Sequence, residues 1–206
     1  EVTPMAPTSF DSLISVCMII RNESQRIDSL IEALTSTISG LYQYYEFLVL
    51  DNASNDGTDR LVAAKLKQIP NLRLIRLSRI YSLDTAVTAA LDSAIGDYVI
   101  LIEPDTEFKL IAQLVEKAQE GNDIVTVRRD LTRLYSPLDR WAGRALYRFA
   151  SRMLGYEVVL EDGFTRLFSR RAVNALTQVR SRRRHLKHFG SIVGYRHAYI
   201  FSDSGS

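Results

Sequence analysis

The stretch "DYVILIEPDTE", residues 97–107, runs from an apolar, β-branched segment straight into three carboxylates at alternate positions, Glu103, Asp105 and Glu107. The apolar part reads as a buried strand. The acids at its tip have two readings, a solvated turn or a cation site. Side chains two apart on an extended segment share a face, which places Glu103 and Asp105 on one side. Glu107 joins them if the extended geometry persists, or else opens the next helix, where an acid suits the helix dipole.

Outward from this stretch the chain alternates. On the amino-terminal side lie "LISVCMII" (13–20) as a strand, "SQRIDSLIEALTSTI" (24–38) with Ile27, Leu30, Ile31 and Leu34 at helical spacing, and "YEFLVL" (45–50) as a strand. "DGTDRLVAAKLKQI" (56–69) follows as a helix, "NLRLIRL" (71–77) as a strand and "LDTAVTAALDSAI" (83–95) as a helix. On the carboxyl-terminal side, "EFKLIAQLVEKAQEG" (107–121) reads as a helix ending in glycine and "DIVTV" (123–127) as a strand. Strand–helix alternation with short connections predicts an α/β fold with a mostly parallel central sheet covered by helices on both faces. The pattern breaks after residue 128. No internal repeat or low-complexity segment is visible.

A chain of 206 residues, 46% hydrophobic and 24% charged, suits one globular domain with a substantial core. The single cysteine, Cys17, sits in an apolar run and is expected to pack as a small hydrophobe. No stretch has the roughly 18 apolar residues of a transmembrane helix, and the first ten residues lack the order of a signal peptide. A cytoplasmic location is the expectation. The net charge of +2 hides an asymmetry: residues 128–187 carry 15 lysines and arginines against five acids, the remainder 11 against 19. A basic later part suggests a phosphate-rich partner, whether nucleotide, nucleic acid or anionic membrane.

Ligands of open parallel sheets bind beyond the carboxyl ends of the strands. Three strands end in polar clusters there: Arg21-Asn22-Glu23, "DNASNDGT" (51–58) and Glu103-Pro104-Asp105. If these strands are neighbours, the clusters converge on one edge. "DNASNDGT" also has the composition of a turn and helix start; Asp51, at the strand end, is the residue in it expected to contact ligand. Neither GxGxxG nor GxxxxGK[ST] occurs, so dinucleotide-oxidoreductase and P-loop readings lack support. The three histidines lie between 185 and 197 without metal-ligand spacing to cysteine, which argues against zinc.

"ISVCMIIRNES", "EFLVLDNASNDGT" and "LDTAVTAALDSAIGDYVILIEPDTE" resemble consecutive blocks of the GT-A glycosyltransferases of family 2, most nearly the polyprenyl-phosphate hexose transferases. "RRAV" after "TRLFS" resembles a later block. The resemblance extends over about residues 13–200. It implies a single GT-A domain over 1–206, with a nucleotide-sugar-binding part at 13–128 and a basic, acceptor- or membrane-facing part at 129–206. It also implies that Ile19 to Glu23, including Arg21, line the nucleoside, that Asp51 faces base or ribose, and that Arg128 contacts phosphate. Asp105 would be the main acid of a metal-binding DxD motif, with Glu103 its first acid and Glu107 adjacent. The cofactor implied is Mg2+ or Mn2+, the donor a nucleotide sugar. This chain departs from the family pattern at Ile19 and Arg21 (usually Pro and Tyr), at Glu103 and Pro104, and at Glu107.

A divalent cation that bridges the two phosphates of a leaving nucleoside diphosphate stabilises the charge developing on it. Such ions are typically held by one or two carboxylates together with substrate oxygens and water. If the acceptor is a sugar hydroxyl, a base is required, and Glu161 or Asp162 supplies it. If it is a polyprenyl phosphate, its oxygen is largely ionised near neutral pH, because the second pKa of a phosphomonoester is about 6. Cations then matter more, and Arg166 and Arg128 are the candidates. In "SPLDRWAGRALYRFASRMLG" (136–155), Arg140, Arg144, Arg148 and Arg152 flank an apolar face containing Trp141 and Phe149. This is the composition of an interfacial helix on an anionic membrane, or of an amphipathic helix packed on the domain. "RSRRRHLKH" (180–188) adds charge without the interleaved aromatics of a nucleic-acid stacking platform, so nucleic acid is not the expected partner. The reading is a metal-dependent, inverting transfer of sugar to polyprenyl phosphate at the inner membrane face, in the building of cell-envelope polysaccharide. A transferase extending a saccharide and a catalytically silent nucleotide- or lipid-binding protein are the alternatives.

Overall fold

The computed structural model describes residues 11–129, 162–178 and 194–202. Its elements run β1 (Ile14–Ile20), α1 (Ile27–Leu41), β2 (Tyr45–Asp51), α2 (Thr58–Lys65), β3 (Leu72–Arg76), α3 (Leu83–Ser93), β4 (Tyr98–Ile102), α4 (Leu110–Gln119) and β5 (Ile124–Arg129). Then follow β6 (Asp162–Ser169), α5 (Arg170–Gln178) and β7 (His197–Ser202). The alternation expected through residue 127 is the one that forms; β6, α5 and β7 lie beyond it. The interfacial-helix candidate at 136–155, the basic run at 180–188 and Glu161 fall outside the described residues. Among those residues no helix is long and apolar enough to cross a membrane.

One seven-stranded sheet has the order β3-β2-β1-β4-β6-β5-β7. All its pairings are parallel except the two that β6 makes, with β4 and with β5. Strand alternation divides the core. Val16, Met18, Phe47, Val49, Ile100, Ile102, Val125 and Leu167 pack beneath α1, α2 and α4. Cys17, Leu48, Leu50, Val99, Leu101 and Phe168 pack beneath α3 and α5. Because both faces are covered, the inner strands read as continuous apolar runs. α1 buries Ile27, Ile31, Leu34 and Ile38, a stripe at helical spacing. Cys17 is fully buried, and that burial pushes its thiol pKa far up, so it packs as an inert hydrophobe.

The far side of the sheet is pinned by Asp123, 5% exposed at the start of β5. Its carboxylate accepts from Arg171 Nη2 (2.6 Å), Ser169 Oγ (2.9 Å) and the Arg196 amide (3.2 Å). It thereby joins β5 to β6, α5 and the segment entering β7. Burial works against its ionisation, but the hydrogen bonds from Arg171, Arg196 and Ser169 outweigh it and lower the pKa. The carboxylate therefore contributes stability above the ordinary aspartate value of about 3.9, and the contribution is lost as pH falls through the lower folded value. Denaturant unfolding should show Asp123→Asn well below the native chain at pH 6 to 7, the gap closing only below about pH 4. A gap that stayed constant to pH 3 would assign the effect to packing.

Candidate active site

The strands carrying the three polar clusters are neighbours: β1 lies between β2 and β4, in parallel register with both. Ile20 stands beside Asp51, and Met18 beside Ile102. Their carboxyl ends, and the clusters that follow, therefore lie side by side at one edge. The reversed direction of β6 brings its first residue, Asp162, to that edge, opposite Arg128 of β5. Further in, Arg166 is paired with Leu101 of β4 on one side and Thr126 of β5 on the other. Residues from 19 to 166 are thus gathered by sheet pairing.

The first two clusters are stitched together. The Asn22 amide donates to Ser54 Oγ (2.9 Å), and the Asn55 amide to Asn22 Oδ1 (3.0 Å). The Glu23 amide donates to Thr58 Oγ1 (2.9 Å), and the Ser24 amide to Asp56 Oδ2 (2.9 Å). The Thr58 hydroxyl donates to Asp56 Oδ1 (2.5 Å) and, with the Ser24 and Thr58 amides, holds the Asp56 carboxyl far below its ordinary range. Asn22 and Ala53 take positive φ, each at 56°, and Gly57 takes 91°, where an L side chain is disfavoured. Much of "DNASNDGT" is thus loop chemistry. Asp51 itself is 2% exposed, and its carboxylate accepts from the Ser54 amide (3.2 Å) and from the Ser54 hydroxyl. Ile19 is half-buried and Arg21 exposed.

The acidic tip of β4 differs from an extended run. The Thr106 amide donates to the Glu103 carbonyl (3.0 Å), closing a turn with Pro104 and Asp105 at its corners; proline is favoured at the first corner because its φ is preset. Glu103 and Asp105 are therefore presented by a turn rather than by the face of a strand. Thr106 Oγ1 accepts from the Glu103 amide (2.9 Å) and bonds to Thr165 Oγ1 of β6 (2.8 Å), which fixes the turn to its neighbour. Asp105 is 74% exposed. Glu107 does not open α4, which begins at Leu110. Its carboxylate accepts from Ser202 Oγ of β7 (3.1 Å) and pairs with Lys109 (2.6 Å).

Two features of the edge went unread in the sequence. Arg26 contacts Glu23 through Nε (2.5 Å) and Asp105 through Nη1 (2.5 Å), tying the β1–α1 loop to the β4 turn. The guanidinium of Arg128 lies over the ring of Tyr199, 3.4 Å from its centroid, so β7 holds the arginine by a cation–π contact. An arginine at a helix start, where the dipole disfavours a cation, three residues after a glutamate, is the signal that marks Arg26.

Among the described residues no group of three acidic, histidine or cysteine side chains converges on a point that holds a metal ion. The turn carries two carboxylates, Glu103 and Asp105, the latter 74% exposed and in contact with Arg26. Hard oxygen donors in that number suit Mg2+ or Mn2+ when substrate phosphates and water complete the shell. The residues present fit such a cation in company with a diphosphate.

The family model described as Glycosyl transferase family 2 matches residues 15–177. An uncharacterized glycosyltransferase of Synechocystis sp. is 28% identical over 192 residues, covering 92% of this chain and 60% of that protein. The undecaprenyl-phosphate 4-deoxy-4-formamido-L-arabinose transferase of Aeromonas hydrophila is 33% identical over 122 residues, covering 57% of this chain and 37% of that protein. The chain thus spans 60% or less of the length of these curated relatives. A mannosyltransferase of Pyrobaculum calidifontis solved with GDP-Man and Mn2+ superposes with a TM-score of 0.65 at 20% identity, covering 96% of this chain and 57% of that one. Glucosyl-3-phosphoglycerate synthase of Mycobacterium tuberculosis, solved with Mn2+, UDP and phosphoglyceric acid, superposes with a TM-score of 0.61 at 20% identity, covering 92% of this chain and 68% of that one. At these identities the likeness establishes the fold, which is GT-A.

Proposed function

The chain belongs to glycosyltransferase family 2, and on that premise we propose that it moves a sugar, with inversion, from a nucleotide-sugar donor to a polyprenyl phosphate at the inner face of a membrane. The observation that carries the donor half is the convergence of three strand-end clusters on one edge of the sheet. In this reading the stitched β1–α1 and β2–α2 loops, with Ile19, Arg21, Glu23 and Asp51, form the nucleoside pocket. Glu103 and Asp105 hold Mg2+ or Mn2+, which supplies Lewis-acid stabilisation of the leaving diphosphate. Glu107, turned towards Ser202, supports the turn from β7.

Support for a phosphate acceptor comes from cations. Arg128, held by Tyr199, and Arg166, on the strand between β4 and β5, bring two guanidinium groups to the strands beside the acidic turn. Guanidinium binds phosphate in a fixed bidentate geometry and keeps its charge throughout the physiological range. The acceptor oxygen is already ionised, so Arg128 and Arg166 orient it and offset its charge, and no strong base is required. The partial likeness to an undecaprenyl-phosphate transferase points the same way. Were the acceptor a saccharide hydroxyl, Asp162, at the same edge, would take the proton.

A panel of UDP and GDP sugars, assayed with polyprenyl phosphate and with saccharide acceptors in Mn2+, Mg2+ or chelator, tests the reading. Metal-dependent appearance of a lipid-linked sugar supports it. Transfer to saccharide alone overturns the acceptor, and absence of both transfer and donor hydrolysis overturns the enzyme. Asp51→Ala should weaken nucleoside diphosphate binding about ten-fold by calorimetry, the size of a lost charged hydrogen bond. Its rate at saturating donor should change much less, because that contact is equal in ground and transition states. Unchanged affinity would move the nucleoside elsewhere.

A further inference from the structure

Arg26 stands at the start of α1, where it makes no side-chain cap and where the helix dipole opposes a positive charge. Helix chemistry therefore does not explain it; two carboxylates do. Its guanidinium reaches Glu23 at 2.5 and 3.3 Å and Asp105 Oδ1 at 2.5 Å, across 79 residues of sequence. Arg26 is 45% exposed and Asp105 74% exposed. A pair so open to water is weakly held. It orients Asp105 without locking it.

We propose that Arg26 is a tethered monocation that competes with the divalent cation for Asp105, so that it sets metal affinity and links metal loading to the amino-terminal end of α1. The inference rests on the reading of Asp105 as a cation-facing acid. A guanidinium and a divalent ion set against the same carboxylate repel each other even in water, so each weakens the other's hold on Asp105. Loading is therefore favoured when Arg26 leaves Asp105. Glu23, 17% exposed and gripped by the same guanidinium, keeps a partner for the displaced arginine. Arg26 is a positioning residue in this scheme: it acts on the metal through Asp105.

Binding of Mn2+ at a fixed concentration of UDP or GDP, followed by loss of the free-ion electron paramagnetic resonance signal beyond that caused by the nucleotide alone, at fixed ionic strength, tests this without any measurement of transfer. Arg26→Gln removes the charge and is expected to bind Mn2+ about two- to five-fold more tightly than the native chain. Arg26→Lys retains the charge and should stay within about two-fold of native affinity, and it guards against an effect of altered folding. In an Asp105→Asn background the Arg26→Gln gain should vanish. Binding by Arg26→Gln no tighter than native, including no binding by either, overturns the role of Arg26. Native-like Mn2+ binding by Asp105→Asn overturns the cation assignment itself, and this inference with it. Loss of binding in Asp105→Asn with no gain in Arg26→Gln overturns Arg26 alone and leaves the assignment standing.

Discussion

Asp105→Asn should lower sugar transfer by about a hundred-fold or more, the scale reached when a preorganised electrostatic contact to the reacting charge is lost, while leaving the fold intact. The substitution removes one negative charge and keeps side-chain size. Asp105 is 74% exposed, its contact with Arg26 is an open ion pair, and the turn itself is closed by the Thr106 amide and the Thr106 hydroxyl. Stability should therefore fall by no more than about 1 kcal/mol, the upper worth of an exposed ion pair. Glu103→Gln should cost less activity than Asp105→Asn, because the longer, half-buried arm is less exposed to an incoming cation. The measurement is initial rate at saturating donor across a Mn2+ series, with thermal unfolding in parallel. Metal-dependent turnover surviving in Asp105→Asn would remove this turn from the catalytic centre.

The largest loss of stability should come from the opposite edge of the sheet. Glu46→Ala is expected to destabilise the domain by about 2 to 4 kcal/mol, because each buried donor left without its acceptor costs about 1 to 3 kcal/mol, while the partner Arg73 is 44% exposed and can be rehydrated. Glu46 is 4% exposed and lies beside Ser15 in the β1–β2 register. Its carboxylate accepts from the Ser15 hydroxyl, from Arg73 Nη1 (2.6 Å) and from the Ile95 amide (2.7 Å). Ser15 Oγ in turn accepts from the Gly96 amide (2.7 Å). Truncation leaves these donors without their acceptor in a place water reaches poorly. The turn into β4 has no room to rearrange: a Cβ on Gly96 would lie 2.6 Å from the Ser15 nitrogen and 2.7 Å from the Leu13 oxygen, both backbone. For a chain of this size each kcal/mol is worth about 2 to 4 °C in melting temperature, so a fall of roughly 4 °C or more is expected. A change below about 2 °C would mean that the network contributes little.

Beyond the family likeness, nine elements from β1 to β5 were legible because each advertises its own burial: α1 by Ile27, Ile31, Leu34 and Ile38, β4 by "YVILI". Edges were less legible. The helix expected over 107–121 starts at Leu110, since the Glu107 carbonyl accepts from the Leu110 amide in a preceding turn. Asp51, Glu103 and Asp105 drew attention through their place at strand ends, a local signal. The turn at Pro104 departs from the extended segment expected there because strand alternation stops at Ile102, three residues before Asp105.

The sequence by itself determined which segments are strands and helices through residue 127, that the sheet is mostly parallel, and that acids cluster where strands end. Periodic burial is a property of each segment alone and survives in the order of its residues. Only the tertiary structure decided that β6 enters between β4 and β5 in the opposite direction, bringing Asp162 and Arg166 to the acidic edge, that Tyr199 carries Arg128, and that Arg26 lies on Asp105. These are pairings between segments tens of residues apart. The chain meets them only when several faces bury together, and no periodicity within either partner records which partner it will meet.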